Sequence, residues 1–128
     1  MEDQLITFET AKLAKEKGFT LNIIGSHIFN YYEDSGTLGH ISWGHLHLNN
    51  PAAVPQSILH RWIREQHKIE IDVTFSTITG TYKTTLWVKS DITNGDHYVP
   101  KKRIGHIQTY NTYEQALEIG LEKALKLI

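Results

Sequence analysis

The apolar positions change period at one point in the chain, and that point organises the rest. In residues 55–67, PQSILHRWIREQH, Ile58, Leu59, Trp62 and Ile63 recur three and four apart, the spacing of one helical stripe. From Ile69 onward the period becomes two: Ile69, Ile71, Val73 and Phe75 alternate with Glu70, Asp72 and Thr74, as in a half-buried strand. The spacing predicts a helix whose first turn holds Pro55, where a missing N–H does no harm, running with almost no loop into a strand. Stripe and strand face are expected to close on one core with Trp62 as the anchor. If buried, its truncation to Ala should cost about 3–5 kcal/mol.

The flanking pattern fills in the architecture. Over 7–19, Phe8, Ala11 and Ala14 with Leu13 beside them predict a short helix capped by Thr7. Lys12, Lys15 and Lys17 suit its C-terminal dipole, and Gly18 is placed for a left-handed cap that folds Phe19 back onto Ala14. Ile23 and Ile24 suit a short strand or a connector. Residues 28–33 and 38–48 read as a hairpin around Asp34-Ser35-Gly36, loosened or bulged at Gly39 and Gly44, with 51–54 as a link to the central helix. Beyond the 69–76 strand, Thr79-Gly80 turns the chain into a strand over 81–90. Asn94-Gly95 signals a tight hairpin, and 98–108 returns, broken by Pro100. The last helix is the best marked. Thr112 and Gln115 form a capping box, and Tyr113, Ala116, Leu117, Gly120, Leu121, Ala124 and Leu125 make its inner face. Gly120 there predicts close approach to a sheet or another helix, while Glu118, Ile119, Glu122 and Lys126 are assigned to the outer face. The strand connections are too short for parallel crossovers. The expected fold is therefore α+β: an antiparallel sheet of three to five strands, with two or three helices packed mainly on one face of a single domain over 1–128.

Composition narrows the functional classes. With no cysteine, disulfides, thiolate catalysis and thiolate metal sites are excluded. The formal net charge of −1 argues against a surface that is basic throughout, although a local basic patch remains compatible with it. MEDQLITFET is acidic and lacks an apolar run of signal length, and no stretch approaches the roughly 20 apolar residues of a membrane span. A cytoplasmic location, without membrane association, is expected.

Two patterned stretches carry a family likeness. PQSILHRWIREQHKIEIDV resembles a pattern of small uncharacterised proteins encoded by phages and prophages of gut anaerobic bacteria. In those, a Pro-Thr-Gln-Ser helix start leads through Leu-x-x-Trp-Leu-Arg-Glu-x-His into a strand. FETAKLAKEKGF and TYEQALEIGLEKALKLI are similar to the two ends of the same family. Val54-Pro55 stands where that pattern has Pro-Thr, and 38–50 has no counterpart in it. The resemblance implies a phage or mobile-element accessory protein in a bacterial host, and it carries over no catalytic residue.

Candidate chemistry is sparse. His60, Arg61, Arg64, His67 and Lys68 lie away from the stripe of the central helix, interrupted by Glu65. The plain reading is a solvated face; the sharper one is a basic docking strip for phosphate or an acidic partner. Lys101, Lys102 and Arg103 add positive charge, and suit a guarded sheet edge equally well. Tyr31, Tyr32 and Tyr98 are candidates for base stacking, or else for ordinary packing. Among the eight histidines, His45 and His47 share one face if 43–48 is a strand, which makes them weak metal candidates. His40 has the opposite parity, and no carboxylate motif completes a zinc site. No nucleophile elbow or phosphate-binding glycine loop is present. The order of expectation is thus a non-enzymatic protein-binding accessory protein, then a nucleic-acid-binding one, and distantly a metal-dependent hydrolase. No cofactor is expected.

Overall fold

A computed structural model describes residues 4–19, 30–40, 50–89, 98–100 and 109–128. The chain divides into two compact units, 1–56 and 57–128. The fold is α+β, and every strand pairing described is antiparallel.

The first unit holds helix α1 (Phe8–Glu16) and a hairpin of β1 (Asn30–Tyr32) and β2 (Leu38–His40). Local signals set α1. The Thr7 hydroxyl accepts from the Thr10 N–H. At the other end Phe19 N donates to Ala14 O, and Gly18 N to Lys15 O, around Gly18 at φ +97°, the paired bonds of a Schellman cap. The hairpin turns through Gly36 at φ +87°, with Gly36 N donating to Glu33 O. Gly39 does not bulge the hairpin. It pairs in regular register with Tyr31, and a Cβ there would lie 2.5 Å from the tyrosine ring, so the glycine leaves room for that ring.

The segment 51–54 is more than a link. Its four residues are buried and lie beside β1, with Tyr32 N donating to Pro51 O and Ala53 N to Asn30 O. On the far side Ile6 N donates to Val54 O and Gln56 N to Gln4 O. Extended chain on both sides thus satisfies the backbone of a stretch whose proline and alanines do not announce a strand.

The second unit contains most of helix α2 (Gln56–His67), strands β3 (Ile69–Ser76), β4 (Thr81–Lys89), β5 (Tyr98–Pro100) and β6 (Thr109–Tyr110), and helix α3 (Tyr113–Leu127). β3 pairs with β4 along its whole length, so β5 and β6 share the other edge of β4. Their registers differ: Pro100 faces Trp87 and Thr109 faces Lys83, nine residues of return chain against four on β4. Of the expected return strand, 98–100 pairs with β4, and 101–108 lie outside the described residues.

Ile69 and Val88, Ile71 and Leu86, Val73 and Thr84, and Phe75 and Tyr82 pair across the apolar face of this sheet. Helix α3 lies on it. The Thr112 hydroxyl caps α3 by accepting from Gln115 N at 3.1 Å, and the Thr84 hydroxyl donates to Ala116 O at 2.7 Å. Gly120 sits where a Cβ would be 2.5 Å from Ile71 Cγ2 and 2.8 Å from Thr84 Cγ2, the close approach its position implied. Glu118 is buried rather than on the outer face, and Ile119 is half-buried. Seven residues on, Leu125 points to nearly the same side at 3.6 residues per turn and is also buried, so the covered arc of α3 is wider than its apolar spacing suggests.

Candidate functional site

Hydrogen bonds to main-chain carbonyls mark both ends of helix α2. Gln56 N donates to Gln4 O at its start. At its end Lys68 adopts φ +57°, and its ammonium donates to Glu65 O at 3.0 Å, meeting one of the helix's last free carbonyls. Leu59 and Ile63 are fully buried, whereas Trp62 is half-buried with its ring edge-on to His67 at 4.8 Å. The anchor of the stripe is therefore the Leu59–Ile63 pair, because the indole lies toward the rim beside His67.

Left-handed Lys68 reverses the chain and brings the first outward side chain of β3 back along the helix. The Glu70 carboxylate accepts from His60 Nε2 at 2.9 Å and lies 3.7 Å from Arg64 Nη1. On the same surface Arg61 Nε donates to Glu65 at 3.0 Å. Arg61 and Arg64 stay outward, with side chains 71% and 46% exposed, while His60 is only 17% exposed. The face is thus a lattice of alternating charge. Glu70 was absent from the face as read from the sequence, since only the Lys68 reversal places it there.

Beside this face opens a cavity of about 280 Å3 lined by His67, Ile69, Val88, Leu127 and Ile128. His67 belongs to both, so the charged lattice and a recess of mixed polar and apolar lining adjoin.

A second surface went unread in the sequence. At the β3–β4 turn, Ile78 is 94% exposed, and Phe75 and Tyr113 are about half exposed. Tyr82 lies between those two rings, with centroids 5.0 Å from Phe75 and 6.2 Å from Tyr113. The available signal was an isolated isoleucine within a run of hydroxyl residues, STITGT.

Of the other candidates, Tyr31 is buried, and the Tyr32 hydroxyl donates to Ile6 O at 2.5 Å, so both serve packing rather than stacking. His45, His47, Lys101, Lys102 and Arg103 lie outside the described residues, as do Ile23, Ile24, Gly44 and the Asn94-Gly95 turn. Among the described residues no three His, Asp or Glu side chains gather as a metal site, and no helix is long and apolar enough to cross a membrane. Burial pushes the Tyr110 phenol above its ordinary pKa. Comparison with protein-family models, with curated proteins and with solved structures yields no match.

Proposed function

We propose that the chain is a non-enzymatic accessory protein of phage or mobile-element type that binds a protein partner through the outer face of α2. The phage assignment rests on the resemblance of the 55–73 segment and the two chain ends. The binding assignment rests on the Glu70 clamp. Arg64 lies 3.7 Å from a carboxylate of another element yet remains half exposed, and Arg61 pairs with Glu65 one turn along its own helix. Arginines already fixed in place lose less freedom on docking. Arg and Trp are also the residue types that dominate protein–protein hot spots, and the half-buried Trp62 packs edge-on against His67, which lines the recess. A phosphate backbone suits the face less well, because Glu65 and Glu70 already offset part of the positive charge of Arg61 and Arg64.

The test is capture from nuclease-treated bacterial lysate by immobilised protein. A protein partner should be retained, and Arg61→Ala with Arg64→Ala should reduce its retention by about tenfold, the effect of losing about 1.4 kcal/mol. Retention unchanged in that double variant would remove the α2 face from the proposal. Nucleic acid bound by the wild type in a filter assay, with affinity falling steeply as salt rises, would replace the protein partner by the nucleic-acid reading.

A further inference from the structure

We infer that the open edge of β3 pairs antiparallel with the same edge of a second copy of this chain, about a twofold axis at Val73. This goes beyond the reading of α2 and does not depend on it.

β3 ends its sheet. Among the described residues it pairs with β4 alone, over its whole length and without a bulge, whereas β5 and β6 take the far side of β4. Pro100 fixes which groups of β3 face outward. It stands opposite Trp87 and has no N–H to donate, so that pair exchanges no hydrogen bonds, and Trp87 turns its own N–H and C=O toward β3. Glu70, opposite Trp87, therefore bonds to β4, and alternation gives Asp72, Thr74 and Ser76 the same sense. The N–H and C=O of Ile71, Val73 and Phe75 point the other way, along the open edge. The middle of that edge is within reach of solvent: Val73 is half-buried, Thr74 exposed and Phe75 54% exposed. A row of main-chain donors and acceptors at strand spacing is matched by another extended backbone. Edges of this kind are commonly blunted by proline, lysine or a bulge, and IEIDVTFS (69–76) has none of the three.

The order of side chains selects a second copy as that backbone. Val73 is the centre of EIDVTFS (70–76). Glu70 and Asp72 precede it, Ser76 and Thr74 follow at the same distances, and Ile71 and Phe75 flank it evenly. Antiparallel pairing about Val73 sets Glu70 of each copy opposite Ser76 of the other, Asp72 opposite Thr74, and Ile71 opposite Phe75. Each carboxylate thus meets a hydroxyl able to donate to it, and none meets another carboxylate. The axis stands perpendicular to the sheet, so the apolar faces join on one side, and Phe75 gains a neighbour. Other registers are poorer. An axis at Asp72 would bring two carboxylates face to face in a closely spaced pair, and one at Thr74 would leave Glu70 and Ile71 beyond the end of the other β3. A foreign strand would have to supply donors opposite both acids; β3 run backwards already does.

Sedimentation velocity over a concentration series from micromolar to near millimolar tests this with the full chain. The wild type should move from monomer toward dimer as concentration rises. Val73→Pro removes an outward N–H and no bond to β4, so circular dichroism should be unchanged while association weakens at least about tenfold. Thr74 gives a second test at an exposed side chain that leaves the backbone alone. Thr74→Glu sets a carboxylate opposite Asp72 twice and should weaken association at least about tenfold; Thr74→Lys sets an ammonium there twice and should strengthen it at least about threefold. That opposite pair of effects belongs to this register. A wild type that stays monomeric throughout, even one that takes up a foreign extended peptide at this edge, overturns the inference. So do Thr74→Glu and Thr74→Lys variants that associate equally.

Discussion

Ile71 and Phe75 stand four residues apart on one strand and face the same side of one sheet. Ile71 is 3% exposed and Phe75 54%. Their cross-strand partners differ in step: Leu86, opposite Ile71, is 1% exposed, whereas Tyr82, opposite Phe75, is only half-buried. Alternation is the same at both ends, so it sets which way a side chain points without setting what covers it. Cover comes from α3. At one end Gly120 lets the helix press onto Ile71 and Thr84; at the other the helix is only beginning, and its first residue, Tyr113, is itself 45% exposed.

The largest expected effect breaks the covered end. Leu86→Ala should destabilise by about 2–5 kcal/mol through lost transfer energy and the cavity left behind, whereas Phe75→Ala should cost less than about 1 kcal/mol. Urea unfolding of the two variants measures the contrast. Equal losses would mean that the Phe75 end is packed in solution, and would end the distinction between the two halves of the face.

Gly120→Ala comes next. A methyl 2.5 Å from Ile71 Cγ2 and 2.8 Å from Thr84 Cγ2 must lift the helix or turn a β-branched side chain, neither of which is cheap. The expected loss is about 1–3 kcal/mol, even though alanine is intrinsically the better helix former by about 1 kcal/mol. A gain in melting temperature would show that α3 sits farther from the sheet than these contacts require.

These cases show what sequence could carry. The Gly18–Phe19 cap, the Thr112 cap and the alternation of β3 are written in neighbouring residues, and each was legible. Gly120 was legible as an exception that needed a cause. The 51–54 segment was not, because its burial comes from hydrogen bonds to residues 4–6 and 30–32, far away in sequence, while Pro51, Ala52 and Ala53 are weak strand formers. Glu118 was misplaced because helical spacing locates the centre of a buried arc better than its width. Of the site, the outward arginines were legible from the stripe alone. The contact of Glu70 with Arg64 and His60 was not, because it depends on a left-handed residue at a position the sequence fills with lysine.

That lysine gives the smallest of these tests and sets the two turns of β3 against each other. Lys68 precedes the strand at φ +57° and Gly80 follows it at φ +68°, so both ends use left-handed backbone, but only one uses the residue suited to it. A side chain in that region costs about 1–2 kcal/mol per residue, and glycine gives back part of this through its freer unfolded chain. Lys68→Gly should therefore stabilise by about 0.5–1 kcal/mol, although it loses the exposed bond from the ammonium to Glu65 O. Gly80→Ala should destabilise by about 1 kcal/mol purely through backbone strain, since a Cβ at Gly80 has no atom within 4 Å to meet. Unfolding midpoints at constant denaturant slope read both changes. If Lys68→Gly instead destabilised the chain, the lysine side chain would be holding the reversal closed, and the Glu70 clamp would depend on more than the backbone angle.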